Sequence, residues 1–160
     1  VPDKYLVVFD TNIFLQALVS RGGPAVKCLD YFEQGRLSIA ISRATLAEIE
    51  DVLARPHLCL KYPQLLDGRV EALLDRLLYR GIYLRRVKQH FTYPRDPKDE
   101  PQLNLAIEVQ ADYLVSRDND LLDLMNWNQE AGREFQRCFR FLKIVTPEAF
   151  LQVMEQPAAY

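Results

Sequence analysis

Hydrophobic positions along this chain fall into two alternating rhythms. Short β-rich runs at Tyr5–Phe9, Ser38–Ser42, Ile82–Val87, Tyr113–Ser116 and Phe141–Thr146 read as strands. Between them, apolar residues recur at helical spacing. The pattern predicts helices over Asn12–Ser20, Pro24–Gln34, Arg43–Ala54, Pro63–Arg80 and Pro101–Gln110, another after Asp118, and a last one over Pro147–Gln156. Strands separated by helices imply right-handed crossovers and a parallel sheet. Three of the runs (LVVF, IAI and YLV) are almost continuously apolar, as expected of strands covered on both faces. Gly22-Gly23-Pro24 and the stretch Tyr93–Pro97 mark turns, neither long enough to be a linker. The expectation is one α/β domain over 1–160.

The 160 residues suffice for a core of their own. No apolar stretch reaches the roughly 18–20 residues that cross a bilayer, and nothing resembles a signal peptide, so no membrane association is expected. Cys28, Cys59 and Cys138 are odd in number and scattered, which argues against a disulfide framework and for a reducing cytoplasm. His57 and His90 stand in unrelated contexts, which disfavours zinc. A net charge of −2 does not announce a nucleic-acid binder. It does not exclude one, because carboxylates gathered around metal ions lower the net charge while the loaded site is cationic.

The residues just beyond each strand are therefore the informative ones, since open α/β sheets bind ligands past the carboxyl ends of their strands, where strand order reverses. Asp10 comes after the first strand. Glu48, Glu50 and Asp51 lie on the helix after the second. Asp118 and Asp120 come after the fourth, and Asp96 and Asp99 precede the helix that leads into it. Each acid has a local reading. Asp10 and Asp99 suit helix N-caps, the latter with Gln102 in the capping-box position and Pro101 in the first turn. Asp118 and Asp120 suit turns. Over Arg43–Ala54 the apolar stripe is Leu46, Ile49, Val52 and Leu53, so Asp51 points away while Glu48 and Glu50 border it on either side. Helical geometry leaves those two open. Jointly, the local readings do not explain why acids recur where an α/β site would be. Converging carboxylates repel one another, and a hard divalent cation with all-oxygen ligation relieves that.

The segments VVFDTNIFLQAL, SRATLAEIEDVLARP and DPKDEPQLNLAIEVQADYLVSRDNDLL resemble, in order and spacing, the signature segments of PIN-domain nucleases, especially the small bacterial proteins related to VapC-type toxins. The resemblance implies a three-layer α/β/α sandwich with a central parallel sheet ordered 3-2-1-4-5, a core of about 5–147, and a C-terminal helix and tail over 147–160. It implies that Asp10, Glu48, Asp99 and Asp118 are the catalytic metal ligands, which selects Glu48 over Glu50. Asn12 and Ser116 fall where the family supports those ligands, and Asp120 and Asp96 stand behind them. Three features depart from the family pattern: Glu100-Pro101 after Asp99, serine at 116 where threonine is common, and the unmatched segment NWNQEAGREFQRCFRF.

The activity implied is that of an endoribonuclease using one or two Mg²⁺ or Mn²⁺ ions, the toxin of a toxin–antitoxin pair, with RNA as substrate and an antitoxin or a second copy as partner. The alternative is a catalytically silent PIN-like module that binds nucleic acid or protein, against which the presence of all four acids stands. Arg117 and Arg95 are substrate-contact candidates, and Arg85, Arg86 and Lys88 add basic charge. Arg133, Arg137 and Arg140 near Trp127 and Phe135 suit an RNA surface built on charge and stacking, a solvated amphipathic helix, or an antitoxin groove. Tyr79 and Tyr83 suit either a dimer contact or core packing. Other folds fit less well: Asn12 stands where a haloacid-dehalogenase-like phosphatase needs a second aspartate, and FDTNIF has no glycine loop for a dinucleotide.

Overall fold

Strand β1 (Tyr5–Phe9) lies between β2 (Leu37–Ser42) and β4 (Tyr113–Val115) in a computed structural model that describes residues 4–156. With β3 (Ile82–Leu84) beyond β2 and β5 (Lys143–Val145) beyond β4, the five parallel strands run in the order β3-β2-β1-β4-β5. Both the class and the order agree with expectation. Residues 157–160 of the anticipated tail lie outside the described residues.

Alternation along each strand divides the interior into two cores. Val7, Phe9, Ile39, Ile41 and Val115 face one layer, made by α1 (Thr11–Val19), α2 (Pro24–Glu33), α3 (Arg43–Leu53), the later α5 (Arg69–Arg80) and α9 (Pro147–Glu155). Val8, Ala40, Leu114 and Ile144 face the other, made by α6 (Glu100–Glu108), α7 (Asn119–Leu122) and α8 (Glu130–Cys138). Strands covered on both faces need apolar residues at consecutive positions, which is why LVVF and YLV show no polar alternation.

Several element boundaries differ from those expected, each for a local reason. The helix expected over Pro63–Arg80 is a 3₁₀ turn at Pro63–Leu66 followed by α5, because Gly68 adopts φ +95°, a left-handed conformation that breaks the run. A short helix α4 (Pro56–Lys61) has no counterpart in the apolar pattern. It buries no residue, so no stripe announces it, and only Pro56 in its first turn marks the start. Strand β3 stops at Leu84, the last residue paired with β2, and the chain then leaves the sheet. The unmatched segment contains α8, whose Phe135 is buried against Phe91 and Phe139. That burial removes Phe135 from any stacking surface.

Between β3 and α6 the chain runs as a strap held chiefly by the Asn104 side chain. Asn104, buried on α6, accepts from the backbone N–H groups of His90 (2.6 Å) and Phe91 (2.9 Å). It donates to the carbonyls of Phe91 (3.1 Å) and Glu100 (2.9 Å), which uses its full hydrogen-bonding capacity. Tyr93 adds two anchors, its N–H to Glu100 (2.8 Å) and its hydroxyl to the Asp120 carbonyl (2.7 Å). The strap thereby delivers Asp96 and Asp99 to the same end of the sheet as Asp10 and Asp118.

Candidate metal centre

The backbone ladder between β1 and β4 sets the first two acids side by side. It continues one step past the strands, with the Asp10 N–H donating to the Val115 carbonyl at 3.0 Å, and the neighbouring β4–β5 ladder does the same through the Ser116 N–H and the Val145 carbonyl at 2.9 Å. Asp10 and Ser116 thus leave adjacent strands together. The fully buried Ser116 hydroxyl donates to Asp10 Oδ2 at 2.7 Å and accepts from the Asp118 N–H at 2.9 Å. One hydroxyl ties both acids. Asp10 Oδ1 accepts from the Thr11 N–H at 2.7 Å, so this residue also caps α1.

Asp99 closes the group from the start of α6. One carboxylate oxygen from each of Asp10, Asp99 and Asp118 lies within 4.8 Å of the others. Asp10 and Asp99 are buried and Asp118 partly so. Among the described residues no lysine or arginine pairs with any of the three. Asp99 does not cap its helix, contrary to the capping-box expectation, and its buried Oδ2 has no hydrogen-bond partner among the described residues. Burial pushes the Asp99 carboxyl well above the usual carboxylate range, and Asp118, Asp10 and Asp96 push it further. Burial also raises Asp10, with the hydrogen bonds from Ser116 and Thr11 working in the opposite direction. Three uncompensated acids with an orphaned buried oxygen fit a hard divalent cation, which supplies the missing positive charge and takes oxygen ligands.

Glu48 lies outside that trio but close enough for its charge to act on Asp10. Its Oε2 accepts from Thr11 Oγ1 at 3.0 Å and from Gln102 Nε2, so two donors on two helices hold the same oxygen. Gln102, expected to complete a cap with Asp99, is instead turned across the seam between α6 and α3. In the sequence Thr11 stands out only as part of DTN. Position does carry a signal for Gln102, which lies three residues after Asp99 and so shares its helix face.

The other candidate residues divide. Asp96 accepts from the Lys98 N–H at 3.2 Å and, with Asp118 and Asp120, forms a second close group of acids. Asp120 is engaged by Arg95 Nε at 2.7 Å, and the same guanidinium reaches Asp123 through Nη2 at 2.7 Å. Arg117 meets Glu148 through two nitrogens, at 2.6 and 3.0 Å, and Gln16 at 2.8 Å. Both arginines are therefore already engaged by carboxylates of this chain. Asn12 is exposed beside a shallow cleft shared with Arg117 and Asp118, and no hydrogen bond joins it to the acids. No helix among the described residues is long and apolar enough to cross a membrane.

Comparison with known proteins gives this geometry a family. The PIN domain model matches residues 6–120, a span that holds Asp10, Glu48, Asp99 and Asp118. A protein of Methanocaldococcus jannaschii, named only as uncharacterized, is 28% identical over 153 residues, covering 96% of this chain and 94% of that one. No solved structure matches the chain at a significant level. With its acids gathered where the strand order of a 3-2-1-4-5 parallel sheet reverses, inside the matched span, this chain belongs to the PIN domain family.

Proposed function

We propose that this protein is a metal-dependent endoribonuclease that hydrolyses phosphodiester bonds in single-stranded or looped RNA. The observation that carries the reading is the cluster of Asp10, Asp99 and Asp118, three converging carboxylates with no lysine or arginine to balance them among the described residues. These three would hold Mg²⁺ or Mn²⁺, with Glu48 facing the same space. A divalent ion bound there lowers the pKa of a coordinated water toward neutrality and offsets charge on a phosphate's oxygens.

The chain's own residues prepare the site. Ser116 and Thr11 fix the orientation of the Asp10 carboxylate, the hydroxyl donating to Oδ2 and the Thr11 N–H to Oδ1, one donor on each oxygen. Thr11 and Gln102 hold Glu48 by Oε2 and leave its Oε1 available. A toxin role in a toxin–antitoxin pair rests on the likeness of the signature segments to VapC-type proteins. The cytoplasm and a homodimer are further expectations of the same kind.

The test is a cleavage assay on a panel of single-stranded and structured RNAs, run with and without Mn²⁺ or Mg²⁺ and with Asp10→Asn alongside. Metal-dependent cuts that disappear in a folded Asp10→Asn protein support the reading. Cutting retained by the variant sinks the site assignment. No cutting by the folded, metal-supplied wild type turns the reading to a silent binding module.

A further inference from the structure

A second recess opens on the other side of the seam that Glu48 and Gln102 span. This cavity of about 280 Å³ lies between the start of α3, the start of α6 and the strap after β3. Ala44, Val87, Pro97 and Pro101 give it apolar walls, while Arg85 and Glu100 stand at polar positions in its lining. Two chain segments link it to the acids. Pro97 and Glu100 flank Asp99 in sequence, and Ala44 precedes Glu48 by one helical turn on α3. The recess and the metal centre thus meet at the start of α6, and Glu48 lies one turn along α3 from the recess.

Charge distinguishes the polar lining residues. Among the described residues Arg85 takes part in no ion pair or side-chain hydrogen bond, and Arg86 and Lys88 beside it form no ion pair. Arg95 and Arg117, by contrast, are both engaged by carboxylates. Glu100 Oε1 accepts from the Tyr93 N–H, which fixes the side chain, and Oε2 has no partner among the described residues. A ligand carrying an anion at one end and N–H groups on a flat, largely apolar body at the other matches this arrangement. The anion goes to Arg85, since Glu100 repels it. The flat body lies between the prolines and Val87 and turns an N–H edge to Glu100. The volume is near the lower end for small-ligand clefts, roughly 300–1,000 Å³, and so suits a single unit of that kind.

We infer that this recess holds one nucleotide of the RNA strand next to the bond being cut, its base between Ala44, Val87, Pro97 and Pro101 and its phosphate on Arg85. The inference rests on the nuclease reading for its place in the reaction, but not for binding itself. Cut position would accordingly depend on the nucleotide seated here, although the metal centre contacts only the phosphate backbone.

The experiment is an NMR titration of the full chain with each of the four ribonucleoside 5′-monophosphates without metal, repeated with Arg85→Ala and with Ala44→Phe, which fills the recess. The expected result is saturable shifts of the Ala44, Val87 and Asn104 amides. Arg85→Ala should weaken binding roughly five- to tenfold, the loss of one charge-assisted contact. Ala44→Phe should abolish it with the rest of the spectrum intact. Shifts confined to other residues, or shifts indifferent to both substitutions, overturn the inference. The two failures separate: RNA cutting by a protein whose recess binds no nucleotide removes this inference alone. Recess binding by a protein that never cuts RNA removes the nuclease reading and leaves a nucleotide site.

Discussion

Two groups of acids lie at the same end of this sheet, and they are built on opposite terms. Asp120 and Asp123 share the Arg95 guanidinium, which bonds both at 2.7 Å. They are partly exposed and held by a cation of the chain itself. Among the described residues, Asp10, Asp99 and Asp118 have no lysine or arginine beside them, two of them are buried, and one buried oxygen has no partner. The first group is complete as folded. The second is under mutual repulsion, and the surrounding structure holds it there through Ser116 and the β1–β4 ladder. Counting acids does not tell such groups apart; asking what balances each one does.

The sharpest way to test that contrast is Asp99→Asn. If the trio is a cation site, metal-dependent RNA cleavage should fall by more than roughly a hundredfold, the upper end of what loss of a supporting group alone does. Above pH 8, where Asp99 ionises despite being pushed up to about 8, the metal-free variant should also melt higher by a few degrees, on the order of 1 kcal/mol, because a repelling buried charge is gone. The gain should shrink as pH falls and Asp99 is protonated. Cleavage and calorimetric melting together read this pair of opposite signs. A lower melting temperature would place Asp99 among the structural acids.

Gln102→Leu probes how Glu48 is held. With only Thr11 left on Oε2, Mn²⁺ affinity by calorimetry should weaken about tenfold. Metal-free stability should not fall, since the change also removes the unpartnered Gln102 Oε1. Equal losses in affinity and stability would make Gln102 a packing residue.

Arg95→Met breaks the other group. Melting should drop by no more than a few degrees, as expected for a half-exposed pair, and Mn²⁺ affinity should stay within about threefold. A collapse of metal binding would mean the two groups are coupled through Asp120, whose N–H donates to Asp118.

The smallest effect concerns a buried ionisable group with no ligand role. Burial pushes the Cys28 thiol up to about 12, and its Sγ donates to the Pro147 carbonyl. At pH 8 the thiol stays protonated and enclosed, so iodoacetamide should label exposed Cys138 in the native protein and Cys28 only in denaturant, as read by mass spectrometry.

Which features the sequence disclosed depended on how far apart the interacting residues are. Strand cores were legible because LVVF, IAI and YLV are local patterns, and each observed strand lies on a predicted one with ends shifted by a few residues. Helix α4 was not legible, since a helix that buries nothing leaves no periodicity. Asp10 and Asp118 could be placed together from topology alone, because strands one and four are neighbours once the order is 3-2-1-4-5. The partners of Arg95 and Arg117 could not, as they lie 28 and 31 residues away in segments whose orientation no motif fixes.

By itself, then, the sequence determined the alternation of strands and helices and the acids that come after the strands, because period and spacing are short-range properties. The order of the sheet came with the likeness of its signature segments. Only the tertiary structure decided which of those acids go without a counter-charge. It took Asp99 off its helix cap, gave Gln102 and Thr11 to Glu48, and spent two arginines on carboxylates. Those outcomes are set by which polar groups meet when distant segments pack, since a buried polar atom takes its partner from whatever the packing brings within reach.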